Sequence, residues 1–250
     1  MSGAASPHPV VAAYDGRVAR VRLEGHPDNA FDGRLVNGLL AALDALPDDA
    51  VLLVLEARGT DFCPGWRDPA AAGALAETVP NPVDALAALP MPAVAVVQGR
   101  CFGPGCELVM GCDLVWALPD ARFRLAALRE AERPRWGGIQ RLVRLVGTGR
   151  AMEWLLSGRA VGAPEAAAAG LVGRLVPGTA EVEAGLADLA AAAPWSLWAA
   201  KQAVVRGRDL TLLQALELEA DLYALLETTE DRREGIRAFL EKRPPHFRGR

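Results

Sequence analysis

Lysine is nearly absent from the chain. Lys201 and Lys242 are its two lysines, and arginine supplies the remaining cations. Net charge at pH 7 is −4, so no global electrostatic footprint for nucleic acid is present. No apolar run approaches the length of a membrane span. The opening residues, MSGAASPHPV, lack a charged stretch followed by an apolar one and do not read as a secretory signal. The four cysteines, at 63, 101, 106 and 112, show no C-x-x-C spacing and no neighbouring histidine. They read as reduced, buried thiols of a cytoplasmic protein, with no metal site. The three histidines, at 8, 26 and 246, lie in or near proline-flanked loops, none in a catalytic setting. Internal repeats and low-complexity tails are absent as well.

What is present is ordinary globular material: 250 residues, 51% apolar and 23% charged, enough to bury a large core. The chain is organised around Met91–Asp113, MPAVAVVQGRCFGPGCELVMGCD. Ala93–Val97 is apolar at every position, which predicts a strand covered on both faces. Gly103, Pro104 and Gly105 predict a tight turn, and Cys106 to Met110 the first turns of a helix. Glu107 is therefore placed near a helix N-terminus among apolar residues. Two readings of it stand: an acid favoured by the helix dipole, or a catalytic acid or base beside ligand-facing backbone amides.

In order along the chain, Val10–Tyr14 and Val18–Leu23 flank Asp15-Gly16 as a β-hairpin. Asp32 is the expected N-cap of a helix over 33–46, with Leu35, Leu39, Leu43 and Leu46 on one face. Val51–Glu56 reads as a second buried strand. Asp68–Leu89 predicts two short helical pieces either side of Pro80-Asn81-Pro82. Leu114–Ala117 is a strand, and 137–146, 151–156 and 164–169 are helices. A strand pairs Val172 with Val176. From Glu181 onward the pattern is helical, over 184–193, 197–206, 212–226 and 232–240, with Thr211 or Asp209 capping the third.

Several motifs together carry a family resemblance. GRCFGPGCELVMGCDLVWA looks like the central motif of the enoyl-CoA hydratase/isomerase (crotonase) superfamily. Phe62-Cys63-Pro64-Gly65-Trp66 resembles its upstream F-x-x-G motif. Gly137-Gly138-Ile139-Gln140-Arg141-Leu142 is similar to its G-G-T-Q-R-L, Gly170-Leu171-Val172 to its A-G-L-V, and Glu241-Lys242-Arg243 to its E-K-R. The resemblance implies an α/β fold, a crotonase-like spiral of ββα units over residues 1–190, followed by a C-terminal helical oligomerisation region over 191–250. It implies a homotrimer or dimer of trimers, no cofactor, and no nucleic-acid or membrane partner. The substrate would be an acyl thioester, on coenzyme A or a carrier protein.

In such enzymes two backbone N–H groups stabilise an enolate oxygen, and losing one such donor costs about 2.7–4 kcal/mol. By resemblance the first donor is the N–H of Trp66, after Gly65. The second falls on Pro104, which has no N–H; the Gly105 N–H is the expected substitute. Glu107 matches one catalytic glutamate, while the second falls on Ala127, with Glu130 and Glu132 as nearby stand-ins. Phe31, Gly65, Arg67, Ala127, Trp136 and Lys242 are the expected substrate contacts. Arg67, Arg129, Arg133 and Arg135 read as solvated surface, or as partners for a substrate carboxylate or carrier phosphate. The short 68–89 segment suggests a reshaped acyl pocket, and Trp136 a narrowed one.

A lone carboxylate suits moving one proton between two carbons. The reading is thus double-bond isomerisation in a specialised pathway. Hydration or dehydration with a relocated acid, a catalytically silent binding subunit, and hydrolysis or C–C cleavage are the alternatives.

Overall fold

The computed structural model describes residues 9–25, 27–68, 81–125 and 133–250. The strands are β1 (Val10–Tyr14), β2 (Val18–Leu23), β3 (Leu52–Ala57), β4 (Ala93–Val97), β5 (Arg100–Phe102), β6 (Leu114–Ala117), β7 (Arg122–Arg124), β8 (Val161–Gly162) and β9 (Arg174–Leu175). The described helices are α1 (Gly33–Asp44), α2 (Pro82–Ala88), α3 (Pro104–Val109), α4 (Gly138–Val146), α5 (Thr148–Ser157), α6 (Ala163–Ala169), α7 (Thr179–Ala190), α8 (Pro194–Gly207), α9 (Leu212–Glu227) and α10 (Glu230–Glu241).

The main sheet runs β1-β2-β3-β4-β6-β9. β1 and β2 form the expected antiparallel hairpin, and every later pairing is parallel. β4 is buried throughout because its alternate residues enter two cores. Ala93, Ala95 and Val97 pack on the side of α1, with Leu35, Leu39 and Leu53. Val94 and Val96 pack on the other side with Leu52, Val54, Trp116 and the α7 residues Val182 and Leu186. Period-two alternation with both faces covered is what an all-apolar run requires.

Three short strands form a second sheet, β5-β7-β8, that positions the loops beyond the main sheet. Two isolated bridges extend it, Cys63 with Cys101 and Phe31 with Trp66. The turn expected at Gly103–Gly105 is instead the start of α3 itself. Gly103 caps it at φ +51° and Pro104 is its first residue. Proline suits that position, where its fixed φ is helical and the missing N–H would have been unpaired anyway.

The strand expected to pair Val172 with Val176 does not form. Val172 N–H donates to Ala166 O at 3.2 Å, so it still belongs to the end of α6. Arg174 and Leu175 alone are strand, lying parallel to Trp116 and Ala117. Asp32 caps α1 as expected, accepting from Leu35 N–H. Thr211 rather than Asp209 caps α9, with Gln214 completing a capping box.

The C-terminal helices are tied to the sheet by few, strong contacts. The Lys201 ammonium on α8, its side chain 3% exposed, meets Asp113 Oδ2 at 2.8 Å and Met91 O at 3.0 Å. Asp113 Oδ2 also accepts from Ala93 N–H at 2.7 Å, at the start of β4. The final residues fold back over α10, where buried Asp231 accepts from the N–H groups of Arg248 and Gly249 at 2.7 and 2.8 Å. Arg17, just before β2, donates to Ala190 O, Ala192 O and Phe247 O.

Candidate active site

Glu107 sits in the first turn of α3 and is 1% exposed. Its carboxylate reaches across to the start of α4. Oε1 accepts from the N–H groups of Arg135 at 3.1 Å, Trp136 at 2.7 Å and Gly138 at 2.9 Å, and Oε2 from Arg135 N–H at 2.9 Å. Gly137 enters α4 in the left-handed region at φ +81° with no side-chain cap of its own, so Glu107 acts as the cap. Gly138 must be glycine here: a Cβ would lie 2.8 Å from Glu107 Oε1 and 2.7 Å from Glu107 Cγ. Burial, the larger effect, pushes the Glu107 carboxyl above its usual range, while the three amides and the Arg135 charge pull it back. Among the described residues Oε2 accepts from Arg135 N–H, and it is the oxygen with more capacity left to take a proton.

Trp66 lies on the loop after β3. Phe31 N–H donates to Gly65 O at 2.8 Å and Arg67 N–H to Phe31 O at 2.9 Å. In that parallel pairing the Trp66 N–H faces the other way, and among the described residues no acceptor meets it. This is the geometry expected of an anion donor. Gly105 approaches the same loop so closely that a Cβ would lie 2.4 Å from Cys63 Cβ. The Cys63 thiol donates to Gly65 O and Phe102 O, each at 3.6 Å. Burial pushes that thiol up to about 12, leaving it inert at neutral pH. Pro104 is buried beside Gly105 at the head of α3.

Three of the expected residues form an aromatic cluster next to Glu107. Trp66 and Trp136 have ring centroids 5.1 Å apart, and Phe31 meets Trp66 at 6.2 Å and Trp136 at 5.8 Å, all edge to face. Phe31 and Trp136 are buried and Trp66 is half-buried. The Arg67 guanidinium is engaged by Asp28 and Asp32, each at 3.3 Å. Lys242 is exposed at the end of α10, in the left-handed conformation at φ +53°. Ala127, Glu130, Glu132 and Arg129 lie outside the described residues, as does the first helical piece expected before Pro80. Among the described residues no cluster of His, Cys, Asp and Glu could hold a metal ion. None of the described helices is long and apolar enough to cross a membrane.

The amides of Arg135 and Gly138 were not anticipated as partners of Glu107. The paired glycines at 137–138 were the available signal, since adjacent glycines mark a close backbone approach.

A parallel-sheet α/β core, a loop amide left open and a carboxylate at the head of a short helix define the crotonase fold. A crystal structure of an enoyl-CoA hydratase from Bacillus anthracis matches with a TM-score of 0.90 at 28% identity, covering 97% of this chain and 100% of that one. The family model described as enoyl-CoA hydratase/isomerase matches residues 13–250, and the chain belongs to that family. Among curated relatives, it is 37% identical over 232 residues to the 2,3-dehydroadipyl-CoA hydratase of Escherichia coli, covering 89% of this chain and 91% of that protein. A probable enoyl-CoA hydratase of Rhodobacter capsulatus is 38% identical over 232 residues, covering 89% and 90% respectively.

Proposed function

We propose that this chain is an acyl-CoA enzyme that forms an enolate and moves one proton, isomerising a carbon–carbon double bond. Glu107 is the base. Its Oε2 takes a proton from the carbon beside the thioester carbonyl and returns it further along the acyl chain. The Trp66 N–H stabilises the enolate oxygen, with the Gly105 N–H as the second donor in place of Pro104. No group is oxidised or reduced, and no cofactor is required. The observation that carries this reading is the Glu107 carboxylate itself. Its hydrogen bonds come from backbone amides, and burial raises its affinity for a proton by more than those amides and the nearby Arg135 charge lower it.

Two other readings have an observation each. Relatives are named as hydratases, which favours water addition with Glu130 or Glu132 supplying the second acid. The near-complete burial of Glu107 and the missing Pro104 amide favour a silent subunit that binds acyl thioesters without turnover.

One experiment separates the three: crotonyl-CoA and 3-enoyl-CoA thioesters incubated in D2O and, separately, in 18O-labelled water. A double bond moved between the second and third carbons without 18O supports isomerisation, with or without deuterium in the product. Incorporation of 18O supports hydration, and an unmoved double bond with neither label supports the silent subunit. Glu107→Gln removes deuterium uptake by about 10²–10⁴-fold while leaving the fold intact; a variant exchanging at the full rate would overturn the role of Glu107.

The assembly belongs to the same proposal. Val204, Leu212, Leu213, Leu216, Phe239 and Leu240 on α8, α9 and α10 are each more than half exposed. That apolar surface is covered when the chain forms a trimer or a dimer of trimers. Sedimentation equilibrium showing a monomer at micromolar concentration would remove that part.

A further inference from the structure

Among the described residues two buried side-chain atoms lack a hydrogen-bond partner, Arg124 Nε and Trp136 Nε1. Arg124 lies with its guanidinium over the Phe102 ring, 4.7 Å from the centroid, and has further donors on the same group. Trp136 has one side-chain donor. The ring is 2% exposed, so the N–H is withdrawn from water and gains nothing in exchange. Buried indoles ordinarily find an acceptor. Trp195, for comparison, donates its Nε1–H to Gly249 O at 2.9 Å. Phenylalanine at 136 would fill much of the same space against Phe31 and Trp66 without an orphaned donor.

The position of the orphan says what could satisfy it. The backbone N–H of Trp136 holds Glu107 Oε1 at 2.7 Å, and its ring lies against Trp66, whose amide is the proposed enolate donor. An acyl chain running between the Trp66 amide and Glu107 would therefore pass beside the indole. The Phe31 and Trp66 rings that pack against it offer no acceptor. Resting on the acyl-thioester reading above, we infer that Trp136 Nε1–H is a specificity-determining donor for an oxygen on the acyl chain. That oxygen, carbonyl or carboxylate, is at the third or fourth carbon. A plain alkyl chain leaves the donor unpaired, whereas an oxygenated one completes it.

The test uses three four-carbon thioesters: butyryl-CoA, acetoacetyl-CoA and succinyl-CoA. Affinities are measured by titration calorimetry for the wild-type protein and for Trp136→Phe. At least one oxygenated ligand is expected to bind the wild type about ten- to a hundredfold more tightly than butyryl-CoA, the range for one buried donor regaining an acceptor. In Trp136→Phe that ratio falls close to one. A second readout does not depend on the variant's stability. The indole N–H resonance of Trp136, identified by its absence in Trp136→Phe spectra, moves downfield with the oxygenated ligand and not with butyryl-CoA. Equal affinity for all three ligands in the wild type, an unchanged ratio in Trp136→Phe, or an unmoved resonance would each overturn the inference. A resonance shifted equally by butyryl-CoA would assign the donor to the thioester carbonyl and overturn it as well. Failure to bind any of the three would instead bring down the acyl-thioester reading on which it rests.

Discussion

Glu107 and Asp113 lie at the two ends of one short stretch, and their carboxylates are held by opposite means. Asp113 keeps some contact with solvent, its side chain 21% exposed, and faces the buried ammonium of Lys201 at 2.8 Å. Glu107 is buried, and its hydrogen bonds come from the backbone amides at the start of α4, with the Arg135 charge a smaller influence. The first arrangement fixes a charge and ties α8 to the start of β4. In the second, burial outweighs both the amides and the Arg135 charge, so the affinity for a proton is raised. On the proposed function, the carboxylate that ties α8 to β4 and the one that moves a proton differ in what surrounds them.

The comparison can be broken at either end. Asp113→Ala leaves the Lys201 ammonium buried without its partner, and the stability measured by urea denaturation should fall by about 3 kcal/mol. The double change Asp113→Ala with Lys201→Met should recover part of that loss, since no uncompensated charge remains. At the other end, Gly138→Ala drives a methyl group into Glu107 and Leu125. It should cost about 1–3 kcal/mol of stability and reduce deuterium exchange further than that loss explains, because the carboxylate is displaced.

A pH series sharpens the contrast. The folded-state pKa of Glu107 is raised above the ordinary 4.5. Its favourable contribution to stability is therefore complete below 4.5 and lost as pH rises through the raised value. The base form needed for exchange appears over that same window. The acid limb of the exchange rate should have its midpoint above 4.5 in the wild type; a midpoint at or below 4.5 would contradict the environment assigned to Glu107. The smallest effect is expected away from the site: Thr211→Ala removes the α9 capping box, should cost about 1 kcal/mol, and should leave the exchange rate per folded molecule unchanged.

The elements legible in the sequence were those with a strong local cause. Ala93–Val97 and Leu114–Ala117 are strands because their runs are apolar and bounded by turns, and Asp32 stands where a capping side chain must. Glu107 at a helix start followed from the glycines before it. The second sheet was not legible, because β5, β7 and β8 are two or three residues long and carry no period. β9 was misplaced because its pairing is decided by the open edge of β6 rather than by Val172 and Val176 themselves. The grip on Glu107 comes from amides on a distant segment, and backbone donors leave no mark on side-chain identity. Only Gly138, where a side chain would collide, recorded it.

The edge-to-face contact of Trp66 with Trp136, at 5.1 Å and 64°, has an optical consequence. Two indoles this close and this far from parallel couple their electronic transitions and should produce a signed couplet in circular dichroism. Trp195 and Trp198, at 5.4 Å and 81°, form a second such pair on α8, so a Trp195→Phe background isolates the first. Any ligand that parts Trp66 from Trp136 would then erase the remaining couplet, giving an unlabelled record of its binding.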